Sequence, residues 1–330
     1  VAGSEHVDVR TLYSAISPLS LAALSHDPMF ALARAHRYSR ELTGGPRAPL
    51  CAPGEAAARG GEGRKLRIGY VSSDLREHAV GFAMADVLEC HDRDAFEITA
   101  YYCGIDRTDP TRERAENAVD RWVDITRLGD AEAAQRIHAD GIDILIDLNG
   151  YTKDARSRIF SYRPAPVAVN WFGFPGTMGS THHDYIVADA VVLPEEDDVF
   201  FSEKVLRLAC YQPNDRKRAI AKTPPTRAAA GLPEQAFVYC CLNGSQKLTP
   251  DVLAQWLTIL REVPDSVLWL LSGGAAVDDR LRQAATAFGL DAGRLVFAER
   301  QPNPEHLARY GLADLFLDNT PYGAHTTASD

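Results

Sequence analysis

The chain predicts an α/β protein with mostly parallel sheets, and three observations predict it. Short apolar runs such as Leu66–Ser72, Ile142–Asp147 and Val267–Leu271 alternate with stretches of helical spacing, a rhythm that yields parallel strands covered on both faces. The rhythm breaks once, in a polar, basic, proline-containing stretch around Lys217–Pro225, and then restarts. At 330 residues the chain has room for two sizeable cores. Two consecutive doubly wound, Rossmann-like domains follow, with ligands expected beyond the carboxyl ends of their strands.

The elements are read in order. Residues 1–46 are rich in Ala, Leu and Ser with helical spacing and close on Gly44-Gly45-Pro46, which predicts two or three helices, the end of a helical-repeat array. Residues 47–64 are rich in Pro, Gly and Ala and read as a linker with no pattern able to order itself. The first α/β domain, 65–220, has strands at Leu66–Ser72, Phe96–Cys103, Trp122–Ile125, Ile142–Asp147, Val167–Phe172, Tyr185–Ala188 and Val205–Leu208. Helices over Gly81–Glu89, Thr111–Ala118 and Asp130–Asp140 join the early ones. The second domain, 221–330, has strands at Ala236–Leu242, Val267–Leu271, Arg294–Phe297 and Leu315–Asp318, with helices Asp251–Arg261, Asp279–Phe288 and Pro304–Leu312 between them. It reads as truncated, because a helix opens at His325-Thr326-Thr327 and the sequence stops at Asp330.

Bulk properties exclude several classes. A net charge of -10 argues against non-specific nucleic-acid or anionic-membrane partners. No apolar run approaches the ~20 residues of a membrane span. None of the six cysteines forms a C-x-x-C pair, so they read as reduced thiols of a cytoplasmic protein and not as a zinc frame.

Polar clusters follow one predicted strand after another: Ser72–His78, Asn149–Thr152, Gly173–Thr177, Asn243–Lys247, Gln301–His306 and His325–Thr327. No Walker A motif or G-x-G-x-x-G follows a strand, which disfavours P-loop and simple dinucleotide enzymes. No Asp-x-Asp pair stands in a setting suited to a divalent ion, so no metal or other cofactor is expected. A metal-free site must meet a departing diphosphate with a cationic side chain and aligned donors. Lys247 and the His325-Thr326-Thr327 helix start supply that combination.

Leu66–Ser73, Ile142–Lys153, Arg163–Thr177, Pro264–Leu271 and Asp314–Asp330 together resemble the catalytic region of the protein O-GlcNAc transferases, a group that includes SPINDLY-type and bacterial members. The resemblance implies a GT-B fold of two Rossmann-like domains. It also implies inverting, metal-independent transfer of N-acetylglucosamine from UDP-GlcNAc to Ser or Thr hydroxyls of an acceptor protein. UDP-glucose or GDP-fucose as donor, or a non-catalytic nucleotide- or partner-binding scaffold, are the alternatives. Residue by residue, His78 matches a histidine near acceptor and sugar, and His138 a second histidine lining the cleft. Phe172, Gly173 and Pro175 match the sugar-contacting loop. Lys247 matches the diphosphate lysine with Asn243 beside it, and His306 a histidine under the uracil. His325, Thr326 and Thr327 match the pyrophosphate-binding helix start, and Asp330 the aspartate that holds the ribose. Gly244, Gln246 and Asn303 stand where the animal enzymes carry Gln, Tyr and Lys.

Other features read as structure. His182-His183 lacks a partner spaced to complete a metal pair and reads as loop surface or cleft lining. Asp215–Arg218 reads as a solvated inter-domain segment, Asn149-Gly150 as a turn, and Trp171, Trp256 and Trp269 as core.

Overall fold

The computed structural model describes residues 15–45, 47–51, 55 and 63–330. Predicted features at 1–14, 46, 52–54 and 56–62 lie outside the described residues. The chain divides into two compact units, one ending at Arg216 and one beginning at Lys217.

Among the described residues, helices α1 (Pro18–Ala22) and α2 (Pro28–Thr43) precede the first sheet. The Asp27 carboxylate accepts the Phe30 amide, Pro28 takes a position that needs no amide, and Gly44 at φ 72° stops the helix. Seven parallel strands follow: β1 (Leu66–Ser72), β2 (Phe96–Tyr102), β3 (Arg121–Asp124), β4 (Ile144–Asp147), β5 (Val167–Asn170), β6 (Tyr185–Ala188) and β7 (Lys204–Arg207). They lie in the order β3-β2-β1-β4-β5-β6-β7. Helices α3 (Ala79–Glu89), α4 (Pro110–Asn117) and α5 (Asp130–Ala139) make the crossovers. Strand period two sends Tyr70 and Tyr102 to one face with Met84 and Leu88, and Val71 and Tyr101 to the other with Ile137 and Phe160. The strand order reverses between β1 and β4, so the loops after those two strands flank the crevice where such sheets bind ligands.

The helical segment packs onto this unit. Ala35 is buried with Tyr151, Phe174 and Met178, and the His36 ring nitrogen lies 2.8 Å from the Gly179 carbonyl. A Cβ on Gly179 would stand 2.3 Å from the His36 amide nitrogen, so only glycine permits the approach. The described part of the linker is ordered through its partners, not its own pattern. Leu50 and Cys51 amides bind the Tyr162 and Arg163 carbonyls, and Arg64 clamps Asp143 bidentately at 2.9 Å.

The second unit holds four parallel strands, β8 (Phe237–Cys241), β9 (Ser266–Leu271), β10 (Leu295–Ala298) and β11 (Leu315–Phe316), in the order β10-β9-β8-β11. Its helices are α6 (Pro250–Glu262), α7 (Ala275–Ala287), α8 (Asn303–Arg309) and α9 (Thr326–Ser329). Trp256 and Trp269 are core residues here, as expected. The order reverses between β8 and β11, which brings the loop holding Lys247 beside the turn leading to His325. Strand β11 is shorter than predicted because Asp318 leaves the ladder and spends its carboxylate on the turn, accepting the Asn319 and Ala324 amides at 2.7 Å.

Candidate active site

In the second unit the two loops at the switch point meet. Lys247 ends a short turn, Ser245–Lys247, directly before α6. Its ammonium donates to the Gly323 carbonyl at 2.8 Å and lies 4.2 Å from the centre of the Tyr322 ring. Burial pulls the Lys247 pKa down, while the Asp318 carboxylate works to keep the charge. His325 packs its ring 5.2 Å from that of Tyr322. Burial, reinforced by Lys247, depresses its pKa to about 4, so at neutral pH it offers an uncharged imidazole. Asn243 ties the loops together: its amide donates to Asn319 at 2.5 Å, and its carbonyl oxygen accepts the Thr327 hydroxyl. Helix α9 has four residues, too few to bring much of a helix dipole to this place.

His306 and Asp330 form a second group in the same unit, their nearest atoms 3.5 Å apart. Asp330 also pairs with Arg218 at 2.5 Å, and Arg218 reaches Asn303 at 3.3 Å. His306 sits edge-on to Tyr310, and its Nδ1 accepts a hydrogen bond from the Arg309 guanidinium at 2.6 Å. Arg309 is 3 % exposed, over the Trp269 ring and bonded to the Glu299 carbonyl. Arg309 Nε and the Tyr310 hydroxyl are two of the eight buried side-chain polar atoms without a hydrogen-bond partner among the described residues. Such orphaned donors suit a ligand's carbonyl or hydroxyl oxygens.

In the first unit the loops after β1 and β4 are knitted by Asn149. Its side chain accepts the Ser73 amide and donates to Ser73, Asp74 and Thr152. Asn149 is therefore a buried hub and more than a turn residue. His78 caps α3 by accepting the Val80 amide at 3.3 Å. Its ring nitrogen stands 3.8 Å from the buried Asp74 carboxylate. Burial lowers the His78 pKa, with Arg76 adding to the effect and Asp74 opposing it. Gly173 fits because a Cβ there would meet the Leu148 carbonyl oxygen at 2.0 Å.

Several sequence readings need correction. Phe172 holds φ 74° and buries its ring in the core, so of the expected sugar loop only Gly173 and Pro175 stay partly exposed. His138 sits in the last turn of α5, which runs back to the amino ends of the strands, away from the ligand-side loops. There its ring contacts Cys51, Nδ1 to Sγ at 3.5 Å. His183 is no surface residue: it is 5 % exposed, stacked on Phe160, and bridges Ser180 at 2.9 Å to Asp147 at 3.3 Å. Asp215 and Arg218 are not solvated, since Asp215 is buried against Arg114 and Arg218 against Asp330.

Sequence reasoning missed Asp318, Asn319, Tyr322, Arg309 and Asp74 as site residues. The available signals were an Asx turn directly after a strand and an arginine three residues beyond a site histidine on one helix face. For a metal, the described residues offer one mixed cluster, in which Cys51, Glu55 and His138 place one ligand atom each within 4.8 Å of the others. The Cys51 thiol there already donates to the Pro164 carbonyl.

The profile of glycosyl transferase family 41 matches residues 56–215 and 214–330. A probable UDP-N-acetylglucosamine–peptide N-acetylglucosaminyltransferase SEC of Arabidopsis thaliana is 36% identical over 328 residues, covering 96% of this chain and 33% of that protein. A UDP-N-acetylglucosamine–peptide N-acetylglucosaminyltransferase of Caenorhabditis elegans is 28% identical and covers 81% of the chain and 33% of its own length. A mutant of the O-GlcNAc transferase of Thermobaculum terrenum superposes with TM-score 0.84 at 31% identity, over 97% of this chain and 60% of that one. The α/β, GT-B-type class read from the sequence agrees with this likeness. The chain spans about a third of the length of the curated relatives. With the family match extending over both units, the chain belongs to glycosyl transferase family 41.

Proposed function

We propose that the chain carries the catalytic region of an inverting, metal-independent transferase that moves N-acetylglucosamine from UDP-GlcNAc to Ser or Thr hydroxyls of proteins. The observation that carries this reading is the convergence of the Lys247 ammonium with the Tyr322–Thr327 turn at the switch point of the second unit. The names of the SEC and Caenorhabditis elegans relatives support the donor and the peptide acceptor.

In this reading the acceptor oxygen attacks the anomeric carbon while the bond to the diphosphate breaks, and the hydroxyl proton passes to a base. UDP leaves readily once its developing charge meets fixed donors. Lys247 supplies the cation, and His325, Thr326 and Thr327 supply neutral donors that do not repel it. His306, Arg309 and Asp330 hold the nucleoside, Asp330 taking a ribose hydroxyl and Arg309 a base carbonyl. His78, whose pKa burial lowers, takes the role of the histidine near acceptor and sugar that the resemblance assigns to it.

The test is transfer of labelled sugar to an acceptor protein. UDP-GlcNAc is expected to serve as donor, and Lys247→Ala to lose on the order of 10²-fold in kcat or more. Competition by GDP in preference to UDP, or release of free sugar without an acceptor, would overturn the reading.

A further inference from the structure

Tyr322 makes contacts that the roles assigned so far leave unused. Its ring lies under the Lys247 ammonium at 4.2 Å, and the adjoining Gly323 carbonyl takes one of that ammonium's hydrogens at 2.8 Å. The same ring packs against His325 at 5.2 Å with a 43° tilt. The turn is stiff, since the Asp318 carboxylate holds the Asn319 and Ala324 amides on either side of it. A lysine side chain is long and loses several rotamers when fixed. A ring face plus a carbonyl from adjacent residues makes a two-point seat that fixes it beforehand.

We propose that Tyr322 is a positioning residue for the donor diphosphate, holding the Lys247 ammonium on its ring face and the His325 imidazole beside it. On donor binding the ammonium keeps the ring contact and exchanges the Gly323 carbonyl for a phosphate oxygen. No covalent bond changes in this step. The proposal rests on the reading of the second unit as a UDP-sugar site. The ring's electron-rich face, not its hydroxyl, does this, and burial holds that hydroxyl neutral by raising its pKa to about 12.

The experiment is a double-mutant cycle on UDP affinity, measured by calorimetry with the full chain. Tyr322→Phe and Tyr322→Leu are made alone and in a Lys247→Ala background, with UDP high enough to saturate the weakest variant. Tyr322→Phe is expected to bind within about twofold of wild type, and Tyr322→Leu to lose on the order of five- to tenfold, because the ring face is retained in one and absent from the other. In the Lys247→Ala background Tyr322→Leu should cost clearly less, no more than about twofold, because only its contact with His325 is then left to lose. Should Tyr322→Leu lower the melting temperature, Tyr322→Met carries the same cycle with a flexible side chain of similar volume. In turnover, the loss should fall on KM for the donor and on kcat, with KM for the acceptor unchanged. An equal loss in both backgrounds, or a loss in Tyr322→Phe matching that in Tyr322→Leu, would overturn the proposal. Absence of any UDP binding by wild type would overturn the donor-site reading beneath it, and the proposal with it.

Discussion

His325 and His182 both remain neutral well below the usual histidine range. Burial pulls each to about 4, with Lys247 adding to the effect on His325 and His183 and Arg163 adding to it on His182. His78 and His91 shift the same way through burial. Unfolded histidines titrate near 6.5, so between pH 6.5 and about 4 the unfolded chain binds protons that the folded one refuses. Above pH 6.5 this penalty is absent; as pH falls through the window it grows and stability drops. Urea midpoints at pH 7, 5.5 and 4.5 should decline in that order, and imidazole NMR should show His325 still neutral at pH 5.5. Arg218 gives a second residue-scale prediction. Its guanidinium pairs with an Asp330 carboxylate that is almost fully enclosed, so Arg218→Met leaves a buried charge and should cost about 3 kcal/mol in a thermal or denaturant melt. The same residues show what sequence conveys at this scale. That the Lys247 loop and the turn before His325 converge was legible, because each follows a strand of the same sheet. Arg218 and Asp215 were misread as solvated, and the surface alternative for His183 failed, because their partners Asp330, Arg114 and Asp147 lie far away in sequence and no local pattern announces a buried pair.

Elements were legible where hydrophobic period and caps agreed. Helix α2 stops at the predicted glycine, and β6 spans the predicted residues. Where a side chain competes for the backbone the reading failed, as in β11, which Asp318 cuts short. The direction of an element matters as much as its span. Helix α5 was placed well, yet His138 sits at its far end and so turns toward Cys51. The contact of α2 with the Gly179 loop could not be read at all, because it depends on tertiary approach. It makes a sharp prediction: Gly179→Ala adds a Cβ 2.3 Å from the His36 nitrogen at a residue with φ 54°, and should destabilise the first unit by about 2 kcal/mol or more in a melt. UDP affinity, seated in the second unit, should be unchanged.

At the scale of the whole chain, both units repeat one device: a parallel sheet whose order reverses once, with functional loops crowded at the reversal. The alternation of strand and helix foretold the sheets, and the single polar break foretold two of them. What alternation cannot give is strand order, and strand order decides which loops meet. In the second unit, order places the loop after β8 against the turn after β11, and the phosphate site proposed above is built on that meeting. The net charge of -10 leaves that site as a local cationic point in an acidic molecule, so nucleotide binding should weaken only modestly with salt, in contrast to a polyanion surface.

Titration of UDP and of GDP into the wild-type chain and into Lys247→Ala tests the central claim most directly. The account predicts that UDP binds in preference to GDP and that Lys247→Ala weakens UDP at least tenfold while leaving the melting temperature near its wild-type value. Equal affinities for wild type and Lys247→Ala, or a preference for GDP, would contradict it.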